Sequence, residues 1–191
     1  EKVLSQAAVD IPRQALLQRV IAPLFARVGE LWRLGKLKAV HEHVASVVVR
    51  SLLSEMLRAA VVSNRAPKLI VATPVGHWHE LGALSAALAA SESGWRVVYC
   101  GPNLPADEIA YAVVRLNAQA LALGISHALD GGNRLAGELR LLRRLVGDAL
   151  PILVGGGGAT VARIPANGNL ATFCSDLDEL RDRLDRLSGA A

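Results

Sequence analysis

The hydrophobic period of this chain changes once, near residue 63, and that change limits the folds open to it. From about 12 to 62 the apolar positions recur at helical spacing: Leu17, Val20, Ile21, Leu24, Val28 and Leu31, then Val40, Val44, Val47, Val48, Leu52, Met56 and Leu57. Such spacing puts them on one side of a helix, so two long helices are predicted. Asp10 and Pro12 open the first, and Leu34-Gly35-Lys36 breaks the pair. A helical hairpin cannot bury both of its faces alone, and the second helix is apolar nearly all round. Further helices must therefore touch it, and residues 1–9 are expected to form one.

Beyond Ser63-Asn64-Arg65-Ala66-Pro67 the texture becomes short apolar runs alternating with helical stretches. Residues 69–72, 97–99, 121–125 and 152–154 read as buried strands, with 172–174 a weaker fifth. Helices are predicted near 80–93, 105–117, 131–146 and 177–188, the last opened by Ser175 with Asp178. Continuous apolar strands separated by helices imply a parallel sheet covered on both faces, a doubly wound α/β domain. Ligands of such sheets sit at the carboxyl ends of the strands, near the switch in strand order.

The loops at those strand ends hold the unusual residues. With 52% hydrophobic but only 4% aromatic residues, the interior is aliphatic, so each aromatic side chain is informative. The first strand runs into Thr73-Pro74-Val75-Gly76-His77-Trp78-His79-Glu80-Leu81-Gly82, which holds two of five histidines and one of three tryptophans. The third ends in Gly124-Ile125-Ser126-His127, the fourth in Gly155-Gly156-Gly157-Gly158. In a doubly wound sheet these loops converge on one edge. A glycine run there forms a tight turn or a phosphate nest. His77 and His79 would point the same way on extended backbone, so a structural zinc site is open to the pair, and a helix-capping or core role to His79 alone.

Charge and cysteine usage narrow the partners. The net charge of +4 is spread along the chain; Arg140, Arg143 and Arg144 form one tight cluster, read as a solvated helix face rather than a nucleic-acid stripe. Cys100 and Cys174 are too far apart in sequence for a zinc motif and read as small apolar residues near strand ends. No apolar run reaches the roughly 18 residues that span a bilayer, and no signal peptide is visible, so a cytoplasmic protein without membrane contact is expected. Glu1 opens inside an amphipathic pattern without a Met, which suggests a piece of something longer.

The His79-Glu80-Leu81-Gly82 loop, the Ser126 loop and the run Gly155 to Gly158 together resemble the cobalamin-binding domain family, whose pattern is D-x-H-x-x-G, then S-x-L, then G-G. Trp32, nine intervening residues and Glu42-His43 match W-x9-E-H, the signature of the helical cap in light-sensing adenosylcobalamin photoreceptors similar to MerR-type regulators of carotenoid synthesis. The resemblance implies an N-terminal helical-bundle cap over residues 1–62 and a flavodoxin-like, doubly wound five-stranded parallel sheet over 67–191. It makes His79 the lower axial ligand of cobalt, displacing the dimethylbenzimidazole base. Ser126 contacts the buried base, and Gly155, Gly156, Gly157 and Gly158 flank the nucleotide tail. Gly76, His77, Trp78, Glu80, Leu81, Gly82 and His127 line the cofactor, while Trp32, Glu42 and His43 cover its upper face.

Three departures bear on function. The acid preceding the ligand is replaced by His77, Ser126 is followed by His127-Ala128-Leu129 rather than by x-Leu, and Arg33 stands where the photoreceptors carry a histidine after the cap Trp. A bis-histidine photoproduct through position 33 is therefore not expected. The leading expectation is a sensor, not an enzyme, that binds adenosylcobalamin between cap and sheet. It would respond to light by cobalt–carbon cleavage and signal to an attached effector or a homo-oligomer interface, reaching DNA only through a domain outside these residues. The second is a corrinoid carrier of a methyltransferase system; a hydrolase using His77 and His79 is the third. Some relatives hold a bilin such as biliverdin beside the cobalamin, and His77, Trp78 and His127 leave room for one.

Overall fold

The computed structural model describes residues 2–126, 133–157 and 170–189. The chain divides into two compact units, Glu1–Ala59 and Ala60–Ala191.

The first unit is helical: α1 (Lys2–Asp10), α2 (Arg13–Leu16), a π-helical turn (Leu17–Ile21), α3 (Ala22–Arg33) and α4 (Ala39–Arg58). The single helix expected after Pro12 is thus interrupted. Pro23 has no N–H for the carbonyl four residues back, that of Arg19, and its ring crowds that carbonyl. The wider π turn over Leu17–Ile21 absorbs the conflict without ending the helix. α3 stops where Gly35 turns left-handed at φ 69°, its N–H bonding Trp32 C=O at 2.9 Å while Lys36 N–H bonds Leu31 C=O at 2.9 Å. Leu16, Leu17, Ile21, Val28, Val49, Leu53 and Met56 form the buried positions of this unit. The N-terminal half of α4 is different: Val40, Val44 and Val47 are exposed, so the apolar surface there is not covered as its sequence suggested. An open groove of about 420 Å³ is walled by Leu4 of α1, Leu24 of α3, and Val40, His41, Val44, Ala45 and Val48 of α4.

In the second unit β1 (Lys68–Pro74), β2 (Arg96–Leu104), β3 (Ala120–Gly124), β4 (Ile152–Gly155) and β5 (Thr172–Cys174) form one parallel sheet in the order β2-β1-β3-β4-β5. Period-two alternation sends Ile70, Ala72, Leu121, Leu123, Ile152 and Val154 into a core with Ile109 and Val113 of α6 (Ala106–Leu116) and Leu135, Leu139 and Leu142 of α7 (Asn133–Val146). Leu69, Val71, Ala120 and Ala122 alternate to the opposite face, where α5 (Leu81–Glu92) and α8 (Leu177–Gly189) pack on one another. Trp95, 1% exposed, donates its indole N–H to Leu184 C=O at 3.2 Å and so pins α8. The cap of α8 lies one residue beyond its expected place: Asp176 accepts the N–H groups of Asp178 and Glu179, and Glu179 reaches back to Ser175 N–H.

Two further features differ from expectation. β2 runs five residues past Tyr99, with register shifts against β1 that admit Gly101 and a left-handed Asn103 at φ 60°. Arg143 is not on a solvated face. It is 9% exposed and donates to the carbonyls of Gly147 (2.9 Å), Asp148 (3.4 Å), Leu150 (2.7 Å) and Leu170 (2.8 Å). The end of a helix leaves carbonyls unpaired, and a planar guanidinium with several donors can serve those of α7 and of the chain entering β4 and β5 together. No helix among the described residues is long and apolar enough to cross a membrane.

Replacing Arg143 by Ala leaves four carbonyls without this donor, so urea unfolding should show a loss of about 2–4 kcal/mol. Lys, a point donor, should restore only part of it.

Candidate functional site

In the order β2-β1-β3-β4-β5 the switch lies between β1 and β3, because the chain leaves β1 toward one edge and later returns to its other side. The loops that follow β1 and β3 therefore flank one crevice. The first carries Gly76 to Glu80; the second carries Ser126.

A closed set of hydrogen bonds fixes the β1 loop. Thr73, fully buried, donates its hydroxyl to His77 C=O and accepts Asn103 N–H at 2.9 Å. Asn103 Oδ1 in turn accepts Gly76 N–H at 2.8 Å, and His77 N–H bonds Pro74 C=O at 3.0 Å. The left-handed backbone of Asn103 and of Gly76, at φ 87°, makes these returns possible. His77 then crosses to the β3 loop: its Nδ1 accepts Ser126 N–H at 3.1 Å and lies 3.2 Å from Ser126 Oγ.

His79 has a different setting. His77 is 4% exposed whereas His79 is exposed, so the two rings do not share a face as extended backbone would have placed them. The turn at Val75-Gly76 removes the period-two relation. Among the described residues no hydrogen bond or ion pair ties the His79 ring, and no cluster of three His, Cys, Asp or Glu side chains stands ready for a metal ion. Trp78 is exposed beside it. Glu80, at the start of α5, receives the Tyr99 hydroxyl at 2.6 Å on Oε2, which ties the loop to β2.

The neighbouring strand ends approach closely. A Cβ on Gly124 would stand 2.9 Å from Ala83 Cβ, so α5 can lie against β3 only because position 124 is glycine. A Cβ on Gly156 would meet Ile125 C=O at 2.5 Å, and the φ of 110° there is itself unfavourable for other residues. Ile125 N–H bonds Gly155 C=O at 2.7 Å, joining the β3 and β4 loops. Gly157 is described beyond them; Gly158 and His127 lie outside the described residues. Of the three residues that left room for a bilin, His77 is engaged by Ser126, Trp78 is exposed and His127 is not described. Burial pushes the Cys174 thiol up to about 11 and also raises Cys100, so both remain thiols at neutral pH.

Within the helical unit, Trp32 ends α3 and is 56% exposed. Glu42 lies in the first turn of α4, where Oε2 meets His43 Nδ1 at 2.7 Å and Oε1 accepts Ser46 Oγ–H at 2.6 Å. Sequence reasoning singled out Trp32, Glu42, His43, His77, His79 and Ser126 but gave no role to Thr73, Tyr99 and Asn103. The signal for Asn103 was present in Gly101-Pro102-Asn103, turn chemistry directly after a strand.

The chemistry of this loop suits a cobalt cofactor: an imidazole with an open face, beside an edge where glycine lets backbones come close. Comparison with known proteins agrees. A B12 binding domain family matches residues 67–167, and a second B12 binding domain family matches residues 1–56. The chain is 32% identical over 157 residues to the HTH-type transcriptional repressor CarH of Myxococcus xanthus, covering 82% of this chain and 52% of that protein. It is 28% identical to the HTH-type transcriptional repressor CarA of the same organism over 158 residues, 83% of this chain and 52% of that protein. The chain thus spans about half the length of these curated relatives. Among solved structures, the Methanosarcina barkeri monomethylamine corrinoid protein superposes with a TM-score of 0.72 at 13% identity, over 97% of this chain and 89% of that one. The methanol:cobalamin methyltransferase complex MtaBC from the same organism gives 0.57 at 14% identity, over 86% of this chain and 63% of that one. At such identities these two likenesses show the fold alone. The match over residues 67–167 takes in the whole loop that carries His79, and by it this chain belongs to the B12-binding domain family.

Proposed function

We propose that this chain is the cobalamin-binding part of a light-responsive regulator, and that it takes adenosylcobalamin with His79 as the lower axial ligand of cobalt. The observation that carries this reading is the setting of His79: an exposed imidazole at the switch point, on a loop whose flanking residues Thr73, Gly76 and His77 are each bonded in place. A ligand on a fixed loop loses little freedom on binding. In this reading Ser126 contacts the displaced base, and Gly155, Gly156 and Gly157 border the nucleotide tail, with His127 and Gly158 assigned to the same lining from sequence alone.

When bound, adenosylcobalamin supplies a cobalt–carbon bond that light breaks. Trp32 would pack against the adenosyl group, and Glu42, its carboxylate oriented by His43 and Ser46, would hydrogen-bond it. Loss of that group removes contacts made in one state only, which is the requirement for a ligand to shift a conformational equilibrium. The shift is read by an effector outside these residues, a DNA-binding domain in view of the two HTH-type relatives, or by an interface between copies of the chain. A methyl-carrying corrinoid protein is disfavoured by two features of this chain, the Trp32 with Glu42-His43 spacing and His77 in the acid's position.

Protein mixed with adenosylcobalamin in the dark should give a bound visible spectrum that illumination converts irreversibly; a spectrum indifferent to light would overturn the photoreceptor reading. His79→Ala should weaken cobalamin binding by at least about tenfold, or restore the spectrum of the base-coordinated cofactor. Trp32→Ala should cost adenosylcobalamin roughly 30- to 100-fold in affinity by equilibrium dialysis, the range expected when a buried aromatic anchor is lost, while methylcobalamin changes little.

A further inference from the structure

In the family pattern the position two before the ligand is an acid, whose carboxylate can take a hydrogen bond from the ligand's second ring nitrogen. This chain has His77 there. A neutral imidazole has one accepting nitrogen and one N–H. The group 3.1 Å from His77 Nδ1 is the backbone amide of Ser126, which can only donate. Nδ1 is therefore the accepting nitrogen, and the ring proton sits on Nε2. The ring is 4% exposed, its carbonyl is held by Thr73, and Ser126 Oγ approaches the same Nδ1 at 3.2 Å, so the side chain is committed to the β3 loop.

Resting on the cobalamin reading, we propose that His77 is a positioning residue that exchanges one hydrogen bond for another. It ties the β1 and β3 loops together through Ser126 and, with its acceptor spent, leaves His79 a ligand with no carboxylate behind it among the described residues. A ligating imidazole that donates to a carboxylate is the stronger electron donor, and such outer partners tune the metal. Glu80, adjacent in sequence, has Oε2 turned to Tyr99. His79 in this chain is thus a softer lower ligand than the acid-backed pattern supplies, and bound cobalt is correspondingly easier to reduce.

The test has an arm without cofactor and an arm with it. Long-range proton–nitrogen NMR correlations of the apo chain should show His77 as the Nε2–H form; a proton on Nδ1 would overturn the proposal. With cobalamin bound, the one-electron midpoint of the cob(II)/cob(I) couple is then measured for wild type, His77→Asn, His77→Asp and Glu80→Gln. Asn keeps an oxygen acceptor for Ser126 N–H and should leave the midpoint where it is. Asp offers one oxygen to Ser126 and a second to His79, and should move the midpoint to a more negative value. Binding with equal midpoints for wild type and His77→Asp would overturn this inference alone, as would a shift in Glu80→Gln as large as that in His77→Asp and of opposite sign, which would identify Glu80 as the carboxylate already in place. Wild-type protein that takes up no cobalamin would overturn the proposed function and this inference with it.

Discussion

The reversal of strand order between β1 and β3 is the constraint on which the candidate site depends. Parallel strands can be added only through crossovers, and where successive crossovers depart to opposite sides their loops separate at the carboxyl edge. Nothing in the side chains has to open a crevice there; the topology leaves it. What the side chains must do is keep the two loops from wandering. His77 spans them through the amide and the hydroxyl of Ser126, and Thr73 anchors the loop through the His77 carbonyl.

That division of labour explains why two histidines so close in sequence differ so much in setting. One is spent on structure, buried and bonded, and the other is left exposed with no partner among the described residues. The glycines of β3 and β4 complete the arrangement by letting backbone meet backbone: Gly156 presses on Ile125, and Gly124 on Ala83 of α5. Any side chain at these points would push apart the surfaces that a bound cofactor would have to meet.

Much of this was legible in the sequence, because the periods that make helices and buried strands are properties of residue type alone. All five strands and the change of texture near residue 63 follow from such patterns, as does the convergence of the His79, Ser126 and glycine loops. What escaped depended on geometry that a pattern cannot carry. Pro23 was hidden by an otherwise continuous apolar stripe, and its conflict with the preceding turn emerged as a π segment. β2 extends through Gly101 and Asn103 because bulges tolerate residues that strand propensity rejects. Arg143 looked like its neighbours Arg140 and Arg144, yet only it lies over carbonyls from three different segments. The direction of His77 depended on a turn two residues earlier, which no alternation rule contains.

The π segment at Leu17–Ile21 also sets the phase of everything after it. Each residue of an α-helix advances the side-chain direction by about 100°, so the extra residue held in that turn rotates the whole of α3 relative to α2. Trp32 stands at the far end of α3 and inherits this rotation. A single-residue deletion within 17–21 would be absorbed locally as ordinary α-helix, keeping Trp32 in register, whereas the same deletion after Pro23 would carry the indole a quarter-turn round the helix. The bulge is thus a timing mark for an aromatic ring about three turns away.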